Sequence, residues 1–71
     1  MDSVRDVRIR DDTIRLGQAL KLAGLAGSGG DARALIEKGA VFVNGEVETR
    51  RGRQLRRGDI VAVGGEAVRI G

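Results

Sequence analysis

The chain has 71 residues, 13 of them Lys or Arg and 10 Asp or Glu, with no Cys, His, Pro or Trp and a net charge of +3. A chain this short buries only roughly 60% of its unfolded surface, so one small domain over residues 1–71 is expected. The missing Cys and His exclude disulfides, thiolate chemistry and the commonest general base and metal ligand, so neither catalytic residue, metal nor cofactor is expected.

Residues 4–10, VRDVRIR, alternate Val7 and Ile9 with Arg8 and Arg10, which predicts a short half-buried strand with Arg5, Arg8 and Arg10 on its solvated side. Charges run through MDSVRDVRIRDD, so it is not expected to act as a leader, and no apolar run approaches the ~18 residues of a membrane span. A cytoplasmic location is the expectation. Asp11, Asp12 and Thr13 offer helix N-caps. Leu16, Ala19, Leu20 and Ala23 fall on one helical face, which Gly24 ends. GLAGSGG is a tight link. Ser28 and Asp31 have capping-box spacing, Ala32, Leu35 and Ile36 give a second apolar face, and Gly39 ends that helix.

The period then changes from helical to alternating. Val41, Phe42 and Val43 lead into Asn44-Gly45, the strongest short hairpin signal because both positions favour positive φ. Gly58-Asp59 marks another turn, and IVAV, Gly64-Gly65 and AVRI form a closing hairpin. The expected fold class is α+β, with two short helices in a helix–turn–helix-like pair packed on a small, mainly antiparallel sheet.

Charge is uneven along this order. Residues 1–14 carry −1, residues 15–58 carry +5 and residues 59–71 carry −1. Between Thr49 and Gly58 stand Arg50, Arg51, Arg53, Arg56 and Arg57 with no acid. Such a run is commonly a solvated surface. Its internal position and ten acid-free residues favour a polyanion contact. Phe42 is the one aromatic residue, so stacking on splayed bases is nearly closed and phosphate contacts should dominate. Arginine suits that task through its planar fork.

The ordered motifs Arg15-Leu16, Gly24-Leu25, Ser28, Ala32-Arg33, Leu35-Ile36, Gly39 with Val41, and Val43-Asn44-Gly45 resemble the S-four RNA-binding domain family, named for small-subunit ribosomal protein four. Gly58-Asp59 before IVAV fits as well. The resemblance spans about residues 14–63 and is closest to small stand-alone bacterial members. It implies a non-catalytic module whose helix pair and hairpin form a platform for structured RNA of the ribosomal or transfer class, on the ribosome or free of it, in a monomer that needs no membrane. Carried over by position, it makes Arg15 a phosphate contact and Ser28 a cap that aims helix amides at a phosphate. It sets Arg33 and Lys38 towards RNA, gives Asn44 the turn, and lets Arg50 and Arg51 extend the basic face. Lys21 is a further candidate. Two positions depart from the pattern: Gly17 stands where many members have Asp, and Gly29-Gly30 where many have a cation. The burden therefore shifts towards Arg50–Arg57.

Other functions find less support. An enzyme without His or Cys needs paired carboxylates or an activated lysine, and the acids here are scattered. A DNA-reading second helix would offer more base-reading side chains than Arg33, Glu37 and Lys38. An adaptor docking on an acidic protein partner stays open on composition.

Overall fold

The computed structural model describes residues 4–71; Met1–Ser3, the start of the stretch not expected to act as a leader, lie outside them. Strand β1 (Val4–Val7) is followed by β2 (Thr13–Arg15), helix α1 (Leu16–Leu22) and helix α2 (Gly29–Glu37). Strands β3 (Val41–Val43), β4 (Glu46–Val47), β5 (Gln54–Arg56), β6 (Ile60–Val63) and β7 (Glu66–Ile70) complete the chain. Five strands form one sheet in the order β1-β7-β6-β3-β4, and β2 pairs with β5 in a separate ribbon. Only the β1–β7 pairing is parallel, so the α+β, mainly antiparallel class is the one observed.

Period-two alternation decides which sheet face is buried. Val41, Val43, Val61, Val68 and Ile70 are all at most 1% exposed, whereas Phe42 between two of them is open to solvent. Against the inner face pack Leu16, Ala19, Leu20 and Ala23 of the first helical segment, with Ala32 and Ile36 of α2, in one continuous core. These match the two apolar stripes expected from the sequence, except that Leu35 packs half-buried at the margin of the second. Leu55 of β5 is also fully buried and ties the small ribbon to that core. Truncating a fully buried Leu of this kind costs about 2–5 kcal/mol.

The helix ends follow local chemistry. Ser28 is the N-cap of α2, and its Oγ accepts the Asp31 amide at 3.1 Å. Gly24 and Gly39, just past the two helices, have φ of +75° and +78°, the left-handed geometry of a C-terminal stop. The α1 start differs from expectation. Asp11, Asp12 and Thr13 do not cap it; Thr13 begins β2, and the N-cap is Arg15, whose side chain makes no capping bond. Pairing of Thr13–Arg15 with Gln54–Arg56 takes precedence over local capping and extends the chain to the first helical residue. The first strand also stops early, at Val7, although Ile9 still packs on the core.

Candidate nucleic-acid interface

The turn between β4 and β5 lies over the start of α1. The Leu16 amide donates to the Arg53 carbonyl at 2.8 Å, and the Gly17 amide to the Arg51 carbonyl at 3.3 Å. Two amides that a helix leaves without internal partners are thus satisfied by a distant segment. This clasp places Arg51 beside Arg15, 36 positions apart in the chain. Gly17 is part of the fit. A Cβ built there would stand 3.2 Å from Arg51 Cγ, so the missing side chain leaves the Arg51 stem lying against α1.

Arg15, Gln18 and Lys21 are spaced by three along the helix start and point one way. With Arg51, Gly52 and Gly29 they line an open concavity of about 420 Å³. Its wall contains three cations and no acid, and Arg15, Lys21 and Arg51 have no ion-pair partner among the described residues. The start of α2 reaches this wall at Gly29. The first-turn acid of that helix, Asp31, instead lines a separate depression that shares no residue with this wall, and its Oδ2 lies 3.2 Å from where a Gly27 Cβ would stand.

The remaining candidates are distributed differently. Arg33 Nε donates to Glu37 Oε2 at 3.0 Å, an exposed pair one turn apart, outside the concavity. Lys38 is the C-cap of α2 and borders the depression that holds Leu25, Asp31 and Leu35. Ser28 acts as the cap described above. Asn44 is consumed by structure. Its backbone takes φ of +52° in the hairpin turn, its Nδ2 donates to Asp59 Oδ1 at 3.1 Å, and its Oδ1 accepts the Ile60 amide at 2.9 Å.

The arginine run is not the unneutralised stretch that its local sequence suggests. Glu48, two residues upstream, is buried, and its carboxylate accepts four hydrogen bonds. Arg50 supplies its amide at 2.9 Å, Nε at 3.0 Å and Nη2 at 3.1 Å, and Arg53 supplies Nη1 at 3.0 Å. Hydrogen bonds from the Arg50 side chain and amide, then from Arg53, lower the Glu48 pKa from its ordinary 4.5 to about 2. Arg57 turns away: Nη2 donates to the Ile9 carbonyl at 3.1 Å and Nη1 lies 3.5 Å from Asp12 Oδ1. Arg56 uses its amide to bond Asp59 Oδ2 at 2.8 Å, while its side chain is exposed without an ion-pair partner among the described residues. That amide bond is the chief reason the Asp59 carboxyl titrates below its usual range, and the Asn44 side chain adds to it.

The run thus divides. Arg50 and Arg53 form an ion-paired cluster with Glu48, Arg57 braces the N-terminal segment, and Arg51 and Arg56 present charge to solvent. Glu48 lies just past the end of β4 at Val47, and its amide still donates to the Val41 carbonyl of β3 at 2.9 Å, which keeps its side chain buried. Gln18, three positions from both Arg15 and Lys21, lines the same wall although no motif singles it out. Arg5, expected on a solvated face, donates from Nη2 to the Ala23 carbonyl at 2.8 Å and secures the end of α1.

Among the described residues, no helix is long and apolar enough to cross a membrane, and no group of acidic side chains is placed to hold a metal ion. A family model described as S4 domain matches residues 7–71. The chain is also similar to the probable ribosome maturation protein RlbA of Bacillus subtilis (strain 168), at 44% identity over 59 residues that cover 83% of each chain.

Proposed function

Since the chain belongs to the S4 domain family, we propose that it is a non-catalytic module that binds structured RNA, ribosomal or ribosome-associated, by its sugar–phosphate backbone. The observation that carries this reading is the acid-free concavity in which Arg15, Lys21 and Arg51 converge without ion-pair partners. Three converging cations in an open, solvated cleft suit successive phosphates, and each phosphate neutralised releases condensed counterions. The lone aromatic residue, Phe42, lies on the outer sheet face and not in this cleft, which favours backbone contact over base stacking. The ribosomal assignment draws support from the relative's name, ribosome maturation protein.

The test is the salt dependence of affinity for a hairpin RNA longer than one helical turn. Replacing Lys21 and Arg51 together by Gln should flatten the log–log slope by about 1.8, at roughly 0.9 per duplex phosphate contact. The melting temperature should stay close to that of the parent, because both side chains are exposed. A slope equal to the parent's would overturn the reading. A DNA hairpin of the same sequence, lacking 2′-hydroxyls, should bind more weakly.

A further inference from the structure

A second concavity, of about 550 Å³, adjoins the first and shares Arg15 and Gln18 with it, so that these two side chains stand on the ridge between them. Arg8, Arg10, Thr13 and Gln54 line its far side, together with one acid, Asp11. Resting on the RNA-binding reading above, we infer that this second cleft holds a further stretch of the same RNA backbone, with Arg8 and Arg10 as its phosphate contacts.

Several observations converge on this. Arg8 and Arg10 are both exposed, and neither has a hydrogen-bond or ion-pair partner among the described residues. Between them Ile9 packs on the core and its amide donates to the Gly71 carbonyl at 3.1 Å, so the segment is anchored at its centre. Arg57 grips the same segment through the Ile9 carbonyl and Asp12. Asp11 is the one acid on the cleft wall. Two free guanidinium groups on a braced loop lose less conformational freedom on binding than two on a loose tail. The neighbouring Thr13 hydroxyl and the Gln18 and Gln54 amides are uncharged donors and acceptors, which suit a sugar–phosphate chain better than a bare ion. With Arg15 common to both clefts, a backbone crossing the ridge meets cations on either side.

The experiment compares three variants on one hairpin RNA: Arg8→Gln/Arg10→Gln, Lys21→Gln/Arg51→Gln, and the four changes together. Salt slopes are measured alongside backbone cleavage protection. The Arg8/Arg10 variant should melt like the parent, flatten the slope by about 1.8 and lose protection at one end of the footprint only. The fourfold variant should flatten it by about 3.6, because separate phosphates contribute independently. Were the Arg8/Arg10 variant to keep the parental slope and footprint while the Lys21/Arg51 variant lost its share, the second cleft would be refuted and the RNA-binding reading would stand. Parental slopes in every variant would refute both.

Discussion

Replacing Glu48 by Gln removes one negative charge at nearly constant shape and tests whether the β4–β5 turn is held by that carboxylate. Folding lowers its pKa from 4.5 to about 2, and at about 1.36 kcal/mol per unit the ceiling on its contribution is about 3 kcal/mol. The groups that cover it stand in solvent themselves, Arg50 with 76% of its side chain exposed and Arg53 with 31%. Water therefore screens the cluster, and a contribution of about 1–2 kcal/mol is expected. In a domain this small that is a fall of about 4–8 °C in Tm for each kcal/mol. Because the folded-state pKa is depressed, the contribution is complete above pH 4.5 and disappears as pH falls towards about 2. Urea unfolding of the parent and Glu48→Gln across that window should give a stability gap that is full at neutral pH and closes in acid. Asp59, whose pKa is also lowered, is common to both proteins and cancels in the difference. A gap that stays constant through the window would show that the loss comes from packing and not from the charge, and would refute the reasoning.

Substitutions at two further positions test structural roles. Asn44→Gly keeps the positive φ but loses the bonds to Asp59 and Ile60, and should cost about 1–2 kcal/mol in urea unfolding. Asn44→Ala should be worse by about 1 kcal/mol, since a Cβ with no side-chain compensation must enter the left-handed region; equal losses would remove the backbone share. Ser28→Ala should destabilise by about 1 kcal/mol through loss of the Asp31 amide bond, and Ser28→Asp should restore most of it. If Ser28→Asp melts like Ser28→Ala, the hydroxyl is not acting as a cap.

Much of the fold was legible because its signals are local. Leu16, Ala19, Leu20 and Ala23 repeat with the helical period, and one side of such a helix must leave water. Asn44-Gly45 specified its hairpin because few other residue pairs tolerate φ of +52° and +87° in succession. Where local and distant demands competed, the local signal misled. Thr13 carries a capping side chain, yet the backbone bonds gained by pairing β2 with β5 outweigh one cap. Leu55 lies between polar neighbours in a segment dominated by arginines, and nothing around it announced a core residue at full burial.

The composition and order of residues by themselves determined that this is a small α+β chain, without thiol or imidazole chemistry, with positive charge concentrated in its middle and the motifs of a known RNA-binding family. Which of those positive charges are available was decided only in three dimensions. Coulomb interaction depends on distance through space, so Glu48 engages Arg50 and Arg53 and offsets one of their two charges, while Arg51, between them in sequence, is carried across the start of α1 to meet Arg15 and Lys21. A count of charges along the chain has no access to that separation; the clasp of the β4–β5 turn on α1 creates it.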